Sequence, residues 1–437
     1  MSLVLNTLRQ KNKSYQDRED DNRPSFSVKT DFSPYDYANG EIGHIIGPNS
    51  VVQQFFNIGM PAGIHSFIGK TQSGKTSILL KLGANIVRPY ANSCMYLRDA
   101  EHTMEMSRIA TLTGLSQFDL ENKIDYVRYD ITHDFVFNDI RAICQAKENL
   151  KNEIMIETPF VDMHGKKIKI YPPDVYVLDS LPFMKSLKDD DDISTSGRNV
   201  SYEQKEAKVN NNTEGMRFAG STKLLLDKIL DMVFKYNIRF CIVNHIAPNT
   251  DMNVQNPKYI QKQLIYLKQT EKLPGGISYL HGNTSILRTD FMSRLEDGEF
   301  GPDIMGTRNK MTFVKSKNNI SGIPIEVIFD QNTGYNCLLS DFNYIFNRGY
   351  GFEGSPRSMY LKAMPSVTFT KRTLWENLVK DFRENPENPQ FVKALHTTAA
   401  RCMYFDLVKK TPDPNPNNWT TGNVPAKVSV KEGVTSR

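Results

Sequence analysis

From about residue 51 the apolar residues form short continuous runs that alternate with stretches where they recur every three or four positions. HSFIG (65–69), SCMYLRD (93–99), VYVLDS (175–180) and RFCIVNH (239–245) read as strands. SILLKLGANIVRPY (77–90), FVFNDIRAICQAKENLK (135–151) and STKLLLDKILDMVFKYN (221–237) read as helices. Strands apolar along their length and alternating with helices predict an α/β fold, a mostly parallel sheet between helices. Two polar stretches, 185–217 and 247–276, break the alternation, and each follows a core strand. Long loops inside a compact domain are usually functional or disordered. After residue 276, SILRTDF, KMTFVKSK and IPIEVIFD look like antiparallel strands. From about Phe342 the chain reads as loop-rich, then as an amphipathic pair, TLWENLVKDFRENP and PQFVKALHTTAARCMYFDLV. Residues 1–50 are polar with Pro24, Pro34 and Pro48, which predicts a short helix near 3–10 and then a tether. The expected division is an N-terminal segment (1–50), a core (51–341), an α-rich region (342–410) and a flexible tail (411–437).

Composition changes this picture little. The 437 residues are 39% apolar and 24% charged, enough to bury a core. Lys plus Arg is 54 against 49 for Asp plus Glu, and a net charge of +5 permits a polyanionic partner without arguing for one. No run approaches the ~20 apolar residues that span a bilayer, so no membrane contact is expected. The first twenty residues lack the features of a secretory signal. Five cysteines (Cys94, Cys144, Cys241, Cys337, Cys402) are scattered with no CxxC pair. That pattern reads as free thiols in a reducing, cytoplasmic setting and argues against zinc.

The chemistry concentrates at strand ends. Gly69, Lys70, Thr71, Gln72, Ser73, Gly74, Lys75 and Thr76 match GxxxxGK[ST] between a predicted strand and a predicted helix that Ser77 opens. Backbone N–H groups of such a turn curl around phosphate and the helix N-terminus adds positive potential. Lys75 can reach the β- and γ-phosphates, and the Thr76 hydroxyl can bind Mg²⁺. The bland alternative is a Gly/Ser-rich turn into a helix. Asp179 ends an apolar strand where a water-mediated Mg²⁺ ligand should sit, or else acts as a turn former. Glu101, in LRDAEH, is the candidate to polarise an attacking water; Asp99 beside it is equally explained as a solvated acidic turn. Asn244 and His245 end a further strand, where a polar group could bond the γ-phosphate and report its departure to the following loop. A satisfied core histidine is the competing reading.

These elements in this order resemble the RecA family of recombinases. Asp99-Ala100-Glu101-His102 repeats the bacterial pattern around the catalytic Glu, VLDS resembles the Walker B strand, and IVNH is closer to phage strand-exchange proteins of the UvsX type. Pro274-Gly275-Gly276 resembles the close of a second DNA-binding loop. Phe313-Val314-Lys315-Ser316-Lys317-Asn318 resembles the strand whose lysines reach the ATP of a neighbouring subunit. Glu384-Asn385-Pro386 resembles the start of the C-terminal helical segment. The resemblance covers roughly residues 45–400. It departs from the family at the adenine-stacking position, which falls near Arg108 or Ile109, and at the acidic run 189–192.

The resemblance implies a RecA-like P-loop ATPase core using ATP and Mg²⁺, with an N-terminal oligomerisation segment packing on a neighbouring protomer and a small C-terminal helical region. It implies a homo-oligomeric helical filament on single-stranded DNA that pairs it with double-stranded DNA in recombination, repair and recombination-dependent replication. A single-strand-binding protein and a loading mediator are implied partners, in the host cytoplasm if the chain is phage-encoded. Lys75, Glu101, His245, Lys315 and Lys317 would carry catalysis, with Arg108 against the base. DNA would meet Arg198, Lys205, Lys208 and Arg217 in the first loop, and Lys258, Lys262, Lys268, Lys272, Gly275 and Gly276 in the second. There Tyr259, Tyr266 and Tyr279 interleave with the lysines, which suits stacking on bases. An amphipathic helix over 257–272 with solvated lysines is the plainer reading. Two alternatives remain: a hexameric replicative helicase of the DnaB type, and a non-catalytic ATP-binding recombination mediator. The short leader and the Gly-Gly-closed loop weigh against the first; intact Lys75 and Glu101 weigh against the second.

Overall fold

The computed structural model describes residues 26–184, 203–248, 263–411 and 413; the side chains of 203–216, 277 and 278 fall outside the description. The chain enters through a hairpin of β1 (Glu41–Ile46) and β2 (Val52–Asn57). Then come β3 (Gly63–Gly69), β4 (Met95–Asp99), β5 (Ile124–Val127), a second hairpin of β6 (Ile156–Val161) and β7 (Lys167–Ile170), β8 (Asp174–Asp179) and β9 (Ile238–His245). A two-residue pair follows, β10 (Ala247–Pro248) with β11 (Glu271–Lys272), and then β12 (Ser285–Arg294), β13 (Gly306–Ser316), β14 (Pro324–Asp330) and β15 (Gly334–Asn336). Nine of these strands form one sheet in the order β15-β14-β13-β12-β3-β9-β8-β4-β5. From β12 to β5 the neighbours are parallel; β13, β14 and β15 extend the sheet antiparallel. The fold is α/β, with a large mixed sheet between helices.

Continuous burial follows from this position. Every residue of β3 and β8 is buried, because helices cover both faces. Alternate residues divide between two cores. Phe67, Leu97, Val175, Val177 and Val243 pack toward the helix Lys75–Val87, whereas Ile64, Ile68, Tyr176, Leu178 and Ile242 pack toward the helices His133–Asn149 and Glu203–Lys235. Thr132 caps the second of these by accepting from Phe135 N, a bond that fixes where it begins. No helix among the described residues is long and apolar enough to cross a membrane.

Several expectations need correction. Residues 26–50 are no tether: Phe32 and Tyr35 are fully buried on this chain's own core, and Tyr35 stacks on Phe67. Large aromatics spaced among polar residues carry no periodicity, so the pattern gives no sign of their burial. The predicted helix at 3–10 lies outside the described residues. The helix expected at 221–237 runs over Glu203–Lys235, so the second half of the first polar stretch is helical backbone. Its Glu, Gln, Lys and Ala residues favour helix without making an apolar stripe. Residues 263–270 form turns, so an amphipathic helix over 257–272 does not extend through them. The region after Phe342 is not loop-rich. A helix, Cys337–Asn347, leads into a three-stranded antiparallel sheet of β16 (Phe352–Ser355), β17 (Ser358–Leu361) and β18 (Met364–Phe369). The expected pair follows as Lys371–Glu384 and Gln390–Met403. The tail beyond Asp413 lies outside the described residues.

Candidate functional site

Four parallel strands deliver polar residues to one edge of the sheet. β3 ends at Gly69, β4 at Asp99, β8 at Asp179 and β9 at His245, with Gly69 paired to His245 and Asp99 to Asp179 in register. The C-terminal edge of parallel strands is where open α/β sheets form their crevices. After β3 the chain turns through 70–74 into the helix Lys75–Val87. Gly74 makes the turn at φ 80°, and a Cβ there would come 2.5 Å from the Tyr335 hydroxyl. A Cβ on Gly69 would run into the Thr289 carbonyl oxygen at 2.5 Å. Both positions therefore exclude a side chain. Tyr335 supports the turn from below, holding Ser73 O at 3.4 Å while accepting from Asn309 Nδ2 at 3.0 Å.

The first N–H groups of the helix that starts at Lys75 have no intrahelical partners and face the edge with the helix's partial positive charge. Lys75 Nζ folds back and donates to the Lys70 carbonyl at 2.8 Å. Burial pulls the Lys75 ammonium below its ordinary value, and the Asp179 and Glu101 carboxylates oppose that shift. Thr76 Oγ1 donates to Asp179 Oδ2 at 2.6 Å. The other oxygen, Asp179 Oδ1, is buried with no hydrogen-bond partner. Burial pushes the Asp179 carboxyl up to about 7, the Thr76 bond opposes, and Glu101 and Asp99 push the same way as burial. A hydroxyl beside a carboxylate with one open oxygen is a hard-donor set that suits Mg²⁺, and the cation would remove the cost of that bare oxygen.

Glu101 reaches the same edge. Its Oε1 accepts from Ser180 Oγ at 2.6 Å and lies 2.9 Å from His245 Nε2. Asp99 turns inward instead: its Oδ2 accepts from Met104 N at 2.9 Å and from the Tyr126 hydroxyl at 3.0 Å, so it is bound into the fold. Asn244 is fully buried; its Nδ2 donates to Pro274 O at 3.0 Å, tying the end of β9 to the close of the second polar stretch. Sequence reasoning does not reach Ser180, although it adjoins Asp179 in VLDS, because nothing in the spacing says that it faces Glu101.

The other residues that the sequence singles out scatter more widely. Ser77 sits in the first helical turn. Ile109 is buried in the core, whereas Arg108 is exposed and donates to Gln331 O at 3.0 Å, so of the two only Arg108 is available to a ligand. Lys315 is not a free end: its Nζ donates to Leu280 O at 2.5 Å and His281 O at 3.1 Å, the C-terminal carbonyls of the helix Gly276–Gly282. Burial, and secondarily Lys317, pulls it down to about 8. Lys317 lies one residue beyond β13, where its N–H bonds Thr284 O at 3.0 Å.

Of the DNA-directed set, Arg198, Lys258 and Lys262 lie outside the described residues. Lys205 and Lys208 are in the helix Glu203–Lys235, with undescribed side chains, and Arg217 on that helix is exposed. Lys268 is exposed and Lys272 half-buried in β11. Gly275 and Gly276 take φ of 106° and 78°, which residues with a side chain rarely adopt. Tyr279 is not a stacking platform: it is fully buried and donates to Ser66 Oγ at 2.6 Å. The loop base is fixed by Arg288, which donates to both oxygens of Glu271, at 2.6 and 3.0 Å, and to Asp290 at 2.7 Å. No family model and no curated protein matches the chain.

Proposed function

We propose that this chain is an ATP-dependent DNA recombinase of the RecA type, forming filaments on single-stranded DNA and exchanging strands with a homologous duplex. One observation carries the reading. Thr76, Asp179 with its bare Oδ1, and Glu101 meet on the edge that also bears the GxxxxGK[ST] turn, although Asp179 is about a hundred residues along the chain from Thr76.

In this reading the backbone of 69–76 and Lys75 hold the ATP phosphates, with Lys75 exchanging the Lys70 carbonyl for phosphate oxygen. Thr76 and Asp179 would hold Mg²⁺, which when bound draws charge from the phosphates and lowers the barrier to transfer. Glu101, released from Ser180 and His245, takes a proton from the attacking water. His245 then passes the change through Asn244 to Pro274 and the loop. Arg108 lies against the base. Lys315 and Lys317 serve the nucleotide of an adjacent protomer, which requires Lys315 to leave its carbonyls. The basic residues of the two polar stretches bind DNA.

The test is electron microscopy of the full chain with single-stranded DNA and a non-hydrolysable ATP analogue. Helical filaments support the proposal. Closed six-membered rings would favour a helicase, and no assembly together with no nucleotide binding would remove it.

A further inference from the structure

Away from that edge, three helices bring together a donor set that the sequence does not reveal. Cys337 and Asp341 lie four residues apart in the helix Cys337–Asn347, which puts both side chains on one face. His396 comes from the helix Gln390–Met403, which packs against it, and Ser33 from the short helix Ser33–Ala38. Asp341 Oδ2 stands at the hub. It lies 2.9 Å from His396 Nδ1, 3.9 Å from Cys337 Sγ and 3.4 Å from Ser33 Oγ. Ser33 Oγ is in turn 3.3 Å from His396 Nδ1 and 4.0 Å from Cys337 Sγ. Cys337, Asp341 and His396 each present a ligand atom within 4.8 Å of the others.

Four atoms related in this way outline a tetrahedron. The five measured edges average about 3.5 Å, and the centre of a regular tetrahedron of that edge lies about 2.1 Å from each corner. That is the length of a zinc bond to nitrogen or oxygen, and slightly short of a zinc–sulfur bond. The edges run from 2.9 to 4.0 Å, and evening them out needs movements of about half an ångström. Thiolate, imidazole and carboxylate together suit a borderline-soft divalent ion better than Mg²⁺ or Ca²⁺.

We propose that Cys337, Asp341 and His396 form a structural Zn²⁺ site, with the fourth position taken by the Ser33 hydroxyl or by a water that it holds. Charge balances. With Zn²⁺ the thiolate and carboxylate supply two negative charges to the ion's two positive, and His396 is neutral. Asp341 contributes the second reason for a cation: it is fully buried, and its other oxygen, Oδ1, has no hydrogen-bond partner. His396 has a side chain 48% exposed, so it provides the route by which an ion reaches the buried donors. The site would fasten the C-terminal helix pair to the N-terminal segment. Sequence spacing argues against zinc because no cysteine pair is close in sequence; the ligands here are mixed, and come from three elements.

The test uses the full chain, freed of any polyhistidine tag and stripped with chelator, titrated with Co²⁺ and then Zn²⁺. One Co²⁺ per chain should bind with a thiolate-to-cobalt charge-transfer band, with a proton released from the Cys337 thiol as it binds, and Zn²⁺ should then displace it with no further release. Cys337→Ser should abolish the band, His396→Gln should weaken binding at least about tenfold, and Cys94→Ser should leave both unchanged. Circular dichroism checks that each variant is folded; if Cys337→Ser is not, the exposed His396→Gln decides. Absence of the band in the wild-type chain, or a band of undiminished affinity in His396→Gln, overturns the proposal and leaves only the hydrogen bond between His396 and Asp341 in its place.

Discussion

Asp179 should make the metal-free protein less stable than it could be. Its Oδ1 has no hydrogen-bond partner, and burial raises its carboxyl from 3.8 to about 7. A carboxyl whose folded value is raised holds its proton more tightly folded than unfolded. Between those two values the folded chain therefore binds more protons, and stability falls as pH rises. At about 1.4 kcal/mol per unit, going from about pH 5 to about pH 8 costs the wild type roughly 2–3 kcal/mol at this residue. Asp179→Asn has no such dependence, and its amide oxygen can still accept from Thr76. The assay is urea denaturation of both proteins at the two pH values with chelator present. The variant should gain on the wild type by roughly 2–3 kcal/mol between the lower and the higher pH. A few millimolar Mg²⁺ with nucleotide should shrink the gap at the higher pH, because the ion binds only the ionised wild-type carboxylate. The variant should also lose Mg²⁺-dependent ATP turnover. A gap that is the same at both pH values, or a variant less stable than the wild type at about pH 8, would refute the reasoning, because the bare oxygen would then carry no cost.

Lys75→Ala should abolish binding of a fluorescent ATP analogue, whereas Glu101→Gln should keep binding and lose about 10²–10⁴-fold in single-turnover hydrolysis; equal turnover in the Glu101 variant removes it as the base. Neutralising Lys258, Lys262, Lys268 and Lys272 should lower the salt slope of single-stranded DNA binding by about 0.7 for each phosphate the protein no longer neutralises, and an unchanged slope moves the interface elsewhere. Replacing Lys315 and Lys317 together by Ala should leave ATP binding to a lone protomer nearly intact while reducing DNA-stimulated hydrolysis. Mixing that variant with Lys75→Ala protein should restore part of the rate, and no recovery in demonstrated mixed filaments counts against action between subunits.

The parallel core is legible in the sequence because its strands are buried on both faces and therefore apolar throughout; β3, β8 and β9 fall within about two residues of their expected positions. The site is legible for a related reason: the polar residue that ends each apolar run must emerge at the same edge. What cannot be read depends on partners distant in sequence. Phe32 and Tyr35 look like isolated aromatics until Tyr335 and Phe313 lie against them. Tyr279 groups with Tyr259 and Tyr266 in the sequence because local pattern cannot show that Ser66 takes its hydroxyl. The spacing of two predicts that Lys315 and Lys317 act alike. A helix end supplied from 280–281 separates them, by offering one of the pair two carbonyls.

That helix end bears on how the proposed ATP and DNA sites would communicate. The segment between β11 and β12 is held from three strands: Arg288 of β12 grips Glu271, Asn244 of β9 donates to Pro274, and Lys315 of β13 donates to Leu280 and His281. Asn244 adjoins His245, whose ring meets Glu101, so one peptide unit and two hydrogen bonds separate Pro274 from the candidate base. A neutral hydrogen bond contributes about 1 kcal/mol net, which shifts a two-state population only about fivefold. The Asn244 contact alone is thus too weak for a steep DNA-dependent switch. The charged contacts must supply the rest. Lys315 is the larger reserve, because its bonds to the two carbonyls are already charge-assisted, and a phosphate in their place would add the attraction of opposite charges. In this protein the steepness of any DNA response should therefore reside more in β13 than in the strand that carries His245.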